Sequence, residues 1–168
     1  MVGLPAEEQA IPGTTLAEVR AHLAVKSFIG LADQYLGVVG YTEHGFRHAK
    51  IVGRDARKIL AELGYRGREP ERAAIAGYLH DIGNFISREM HAQTGAMVSS
   101  WVLQELGMPV HEIGVVAGAI GNHEEGIGHP VSAEAAALIL ADKSDVHRSR
   151  VRNKDAETFD IHDRVNYA

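Results

Sequence analysis

The chain has no cysteine among its 168 residues, which removes disulfides, thiolate nucleophiles and cysteine-ligated zinc. That absence fits a cytoplasmic location, where disulfides are rare. Long hydrophobic runs are missing too. The longest, IGVVAGAIG and AEAAALILA, fall well short of the ~20 residues a membrane-spanning helix needs. The opening MVGLPAEEQAIPG has no basic stretch followed by an apolar one, so no secretory signal is predicted. Basic charge is in deficit, with 17 Lys and Arg against 22 Asp and Glu. A membrane or an extended nucleic-acid surface calls for the opposite balance, and neither is expected as a partner. A small anion held in a local pocket remains compatible with this charge.

Strand-like alternation is nearly absent, and helical spacing of apolar residues dominates. The expected fold is an all-α, compact, single-domain bundle of about six helices. Residues 1–13 form an expected flexible leader, after which Thr14 or Thr15 caps a helix running to about Tyr35. A second helix is predicted from near Tyr41 to Leu63, with Ile51, Val52, Ala56, Ile59, Leu60 and Leu63 at three- and four-residue spacing. Gly64 ends it. Glu69-Pro70-Glu71 reads as a helix start, with proline in the first turn and acids at the positive end. Further helices are expected over about His91–Leu106, Val110–Asn122 and Ser132–Arg150. Gly114 and Gly118 inside the fifth each cost roughly 1 kcal/mol against alanine, a cost that close helix packing would explain. The tail TFDIHDRVNYA is expected to be a short strand or edge segment.

Histidine is plentiful, and several histidines lie on or beside apolar helices. His80-Asp81 ends an apolar segment, where an isolated buried carboxylate is expensive unless paired. His44 and His48 are four apart, on one helical face. His91 starts a helix, His123 follows another, and Asp142 lies in the apolar AAALILADKSDV. In a bundle these elements can converge as they do in helical metalloproteins. His48, His80, Asp81 and Asp142 suffice for one divalent cation. Adding His91 and His123, with Asp81 bridging, makes a two-metal site. Imidazole and carboxylate without thiolate suit Fe, Mn, Co, Ni or Zn and do not choose among them. The bland readings are a surface His91, a His123 that merely complements its helix C-terminus, and His22, His111, His129, His147 and His162 as structural residues.

The ordered strings EHGFRHAKIV, LHDIGNF, HAQTGAMV, GNHEEGIGHP and LILADKSDV resemble the HD-domain superfamily of metal-dependent phosphohydrolases over about residues 40–150. The resemblance implies an HD-type domain over residues 14–168 that hydrolyses a phosphate ester, and His91 and His123 point to its binuclear branch. The chain departs from the HD-GYP pattern of cyclic-di-GMP hydrolases, which has a lysine after HDIG, a paired HHE and GxGYP. Here Asn84, Asn122-His123-Glu124 and Gly126-Ile127-Gly128-His129-Pro130 stand instead, so that substrate does not carry over.

The expected activity is that of a phosphomonoesterase or phosphodiesterase acting on a small phosphorylated substrate, a nucleotide among the candidates. Two cations about 3.5–4 Å apart would acidify a water and neutralise phosphoryl oxygens, with Asp81 bridging. His44 is a candidate general acid, extra ligand or orienting residue, since imidazole titrates near neutrality. Lys143, Arg148 and Arg150 are candidate phosphate contacts, though such residues also commonly form local salt bridges or a solvated face. Two other functions remain open: a diiron oxygenase on the same ligand set, and a non-catalytic nucleotide-sensing module.

Overall fold

Capping chemistry sets most helix boundaries in the computed structural model, which describes residues 13–168. All but the last residue of the expected leader lie outside the described residues. Helix α1 (Leu16–Ala21) opens on a capping box in which Thr15 accepts from Glu18 N–H and the Glu18 carboxylate returns to Thr15 N–H. Helix α2 (Leu23–Val38) follows after a break at His22, whose extended backbone interrupts what the sequence presents as one helix. No glycine or proline marks the break, and Val19, Val25 and Ile29 feed one core across it.

Helix α3 (Phe46–Glu62) ends at Gly64, which adopts a φ of 92° and donates to Ala61 O while Tyr65 donates to Leu60 O. It starts later than the apolar spacing predicts, because residues before it are held in a loop. The Asp33 carboxylate accepts from His44 N–H at 3.0 Å, and Glu43 accepts from Gly45 N–H at 2.7 Å. Helix α4 (Glu69–Leu79) begins with Pro70 in its first turn, as expected, and every residue from Ala73 to Leu79 is buried. A helix covered on all sides belongs at the centre of a bundle. Accordingly α4 packs on α3, α6 and α7.

The α3–α4 contact is backbone on backbone. A Cβ added at Gly77 would meet Gly53 Cα at 2.9 Å, and one at Gly53 would meet Ala74 O at 2.8 Å. Separating the helices to admit a methyl costs about 1–3 kcal/mol and would displace the two histidines they carry. The glycines suspected of close packing, Gly114 and Gly118, have nothing within 4 Å of an added Cβ. They lie on open parts of α6, so the close-approach explanation fails for them.

A short 3-10 turn, Ile82–Phe85, leads to α5 (His91–Glu105), and α6 (Val110–Gly121) packs against α5. Helix α7 (Ala133–Ser144) is capped by Ser132, which accepts from Ala135 N–H at 3.1 Å. It stops at Asp145 instead of running to Arg150, and Arg148–Arg150 form a separate 3-10 turn. The tail is not a strand. Asp160 accepts from Asp163 N–H at 2.8 Å and caps α8 (Ile161–Tyr167). The described residues thus form eight helices and no strand, and no helix among them is long and apolar enough to cross a membrane.

Candidate metal centre

Four buried imidazoles, those of His48, His80, His91 and His123, come to one point from α3, the end of α4, the start of α5 and the end of α6. Each has its Nδ1 facing an oxygen acceptor: Asp145 Oδ2 at 2.7 Å from His48, Gly77 O at 2.9 Å from His80, Arg88 O at 2.8 Å from His91, and Ile120 O at 2.6 Å from His123. An ionised carboxylate or a carbonyl only accepts, so Nδ1 carries the hydrogen and the neutral ring presents a bare lone pair at Nε2. Those Nε2 atoms meet in pairs, His48 with His80 at 3.2 Å and His91 with His123 at 3.2 Å. Facing lone pairs repel unless positive charge lies beside them.

Asp81 stands between the two pairs. Its Oδ2 lies 3.1 Å from His80 Nε2 and 3.6 Å from His48 Nε2, while Oδ1 lies 3.5 Å from His91 Nε2 and 4.0 Å from His123 Nε2. Asp142 Oδ1 joins the first pair at 3.2 Å from His48 and 3.6 Å from His80. Two triads, His48–His80–Asp142 and His80–Asp81–His123, have donor atoms all within 4.8 Å of one another. His91 adjoins the second through His123. Asp81 Oδ2 is buried without a hydrogen-bond partner, a costly state for a carboxylate oxygen unless a cation faces it. The donor set therefore fits divalent cations.

The electrostatics make the same demand. Burial alone would lower the His80 pKa, yet Asp81 and Asp142 drive it up to about 10, so a proton there substitutes for a metal charge. Burial would raise Asp81 and Asp142, but the surrounding imidazoles hold both well below the usual carboxylate range. His123 is pushed down to about 4 by burial and by neighbouring His80. His44 is likewise pushed down to about 4, mainly by burial, and its Nδ1–H donates to Thr42 O at 2.7 Å.

Burial thus works against the charged His44 that a general acid would need at neutral pH. Nor does His44 share a helical face with His48. It precedes α3, and the Asp33 and Thr42 contacts bring its ring to 5.5 Å from that of His48.

The donors open onto a cavity of about 320 Å³ that Lys143, Arg150 and Arg88 line, together with His162 and Asn166 of α8. Lys143 contacts Asp142 at 2.8 Å and Glu125 at 2.9 Å. Arg150 donates to Glu43 O at 3.0 Å and to Asp145 O at 2.8 Å, tying the loop before α3 to the end of α7. Arg148 does not reach the cavity. Its guanidinium donates to Tyr167 O and stacks on the Tyr167 ring, which anchors α8 and corrects its assignment as a phosphate contact.

Three contributors stand outside the expected set of site residues. Asp145 orients His48 and pairs with Arg47 at 2.9 Å; its only signal was proximity to Asp142. Arg88 sits three residues before His91. His162, read as structural, lines the cavity because the tail folds as α8.

An uncharacterized protein, MJ1020, of Methanocaldococcus jannaschii is 28% identical over 92% of this chain and 68% of its own length. The heat-inducible transcription repressor HrcA of Xanthomonas oryzae pv. oryzae is 26% identical over 77% of the chain and 39% of its own length. Ribonuclease Y of Sulfurovum sp. is 32% identical over 71% of the chain and 22% of its own length. The chain therefore spans about two thirds of the first relative and well under half of the other two. No solved structure matched. The HD domain family profile matches residues 45–147, a stretch that contains all six converging donors, and the chain belongs to the HD-domain superfamily.

Proposed function

We propose that the protein is a metal-dependent phosphohydrolase that cleaves a phosphate ester of a small molecule, with nucleotides the first class to test. One observation carries this reading: the Asp81 carboxylate lies between two pairs of imidazole Nε2 atoms, 3.1 Å from His80 on one side and 3.5 Å from His91 on the other. His48, His80 and Asp142 would hold one divalent cation and His91 and His123 a second, with Asp81 shared between them. Bound there, two cations supply Lewis-acid charge to phosphoryl oxygens and lower the pKa of water.

Five carboxylates but only three Lys and Arg line the cavity, so the protein alone does not attract a phosphate and the cations must reverse the sign. Asp145 keeps the His48 ring aimed inward. His44, neutral, is placed to accept a proton or a hydrogen bond at Nε2. Lys143 offers charge at the rim, offset by Asp142 and Glu125.

The test begins with metal analysis for Mn, Fe, Co, Ni and Zn on protein purified without chelator. A panel of nucleotides, generic phosphomonoesters and phosphodiesters follows, including a short RNA on account of the relative named Ribonuclease Y. Turnover is expected, and Asp81→Ala should reduce it by more than the roughly 10- to 100-fold that loss of a mere orienting partner costs. A folded, metal-loaded wild type that turns over nothing on the panel would overturn the reading.

A further inference from the structure

Arg88 differs from the other two cations that line the cavity. Lys143 is held by two carboxylates and Arg150 by two backbone carbonyls. Arg88 has no carboxylate partner among the described residues. Its Nη1 lies 3.1 Å from His91 Nε2 and 3.2 Å from His91 Nδ1. Nδ1 already carries a hydrogen directed at Arg88 O, so only Nε2 can accept from Nη1, and a cation held there would take that lone pair; Nε and Nη2 have no partner among the described residues. The guanidinium also packs on the imidazole and, 5.3 Å from its centroid, on the Tyr41 ring. Most of its planar fork of N–H donors is therefore uncommitted at the mouth of the site.

We propose that Arg88 forms a phosphoryl-binding subsite, its guanidinium gripping an oxygen of the substrate phosphate, and later of released orthophosphate, on the His91–His123 side. A divalent cation held by His91 and His123 would lie close to this guanidinium and repel it; the Glu124 carboxylate, 3.8 Å from His91 Nδ1, is not paired with Arg88. An oxyanion shared by the two positive groups removes that repulsion, and the guanidinium fork matches phosphate geometry. The inference rests on the phosphohydrolase reading and deepens it.

The residue does two separable things. Its backbone carbonyl orients His91, and this survives substitution, whereas its side chain faces the cavity. Arg88→Gln should therefore keep the wild-type metal content. It should weaken orthophosphate binding to the metal-loaded protein, measured calorimetrically, by roughly 10- to 100-fold, the range for a charged hydrogen bond. Arg88→Lys should recover part of the affinity through charge alone. Wild-type orthophosphate affinity in Arg88→Gln would overturn the subsite. So would loss of metal in that variant, which would make the side chain a support for His91. If the metal-loaded wild type neither binds orthophosphate nor hydrolyses any phosphoester, the phosphohydrolase reading itself fails. If it hydrolyses them and Arg88→Gln is indistinguishable from it, only the subsite fails.

Discussion

The two ends of α4 both carry charge into the interior, and they resolve it in opposite ways. At the first turns, Arg68 meets Glu112 of α6 at 2.8 Å, and Arg72 meets Glu134 of α7 at 2.7 Å and Glu112 at 3.4 Å. Every guanidinium there has a carboxylate, and the ladder closes on itself while pinning α4 to two neighbours. At the far end, His80 and Asp81 face other imidazoles and another carboxylate. The imidazole hydrogens point outward to carbonyls and Asp145, and lone pairs point inward. That end is completed only by positive charge from outside the chain. A closed ladder reads as scaffold, an open one as a binding site.

The contrast can be broken at the closed end first. Arg72→Met leaves the buried Glu134 carboxylate without its guanidinium, and orphaning one partner of a buried pair costs about 3–5 kcal/mol. Urea unfolding should show that loss while metal content stays at the wild-type level; a fall in bound metal would mean the two ends are not independent. At the open end, Asp145→Asn removes the charge that orients His48 and should lower metal affinity by roughly 10- to 100-fold, read by competition with a chelator. Unchanged affinity would show that the His48 ring is held by packing alone.

The gentlest probe is pH. In metal-free protein, His44 and His123 have folded pKa values of about 4 against 6.5. Unfolding then takes up protons, and their contribution to stability is lost as pH falls from 6.5 toward 4. His80 runs the other way: raised to about 10, its contribution is full below 6.5 and is lost as pH rises through 10. Glu112, held below its ordinary 4.5 chiefly by its hydrogen bond from Arg68, contributes above 4.5 and fades only as pH falls below that. Melting temperatures from pH 7 to 3 should therefore decline in two stages. Added metal should suppress the first stage, and Arg68→Met should reduce the second, to which Asp81 and Asp142 also contribute. A single decline, insensitive to metal, would remove the distinction between the ends.

Local chemistry made much of the bundle readable in advance. Thr15, Pro70 and Ser132 start helices, and Gly64 ends one, because caps and left-handed turns are decided by a few adjacent residues. The break at His22 has no such local cause, and neither does the late start of α3, which depends on Asp33 reaching His44 across eleven positions. The tail was misread because seven residues of mixed polarity fit a strand as well as a short capped helix. Arg148 and Arg150, two apart, went to different fates for the same kind of reason: one stacks on Tyr167, the other bonds carbonyls beside the cavity.

For the candidate site, the amino-acid order by itself determined which side chains offer metal-donor atoms and that they sit on or next to helices with buried faces. It could do so because ligand chemistry and helical periodicity are properties of single residues and short windows. Only the tertiary structure decided that burial disfavours a charged His44, that Asp145 orients His48 and that Arg88 faces the cavity. Burial, orientation and charge pairing are set by elements far apart in the chain, and no local window contains them.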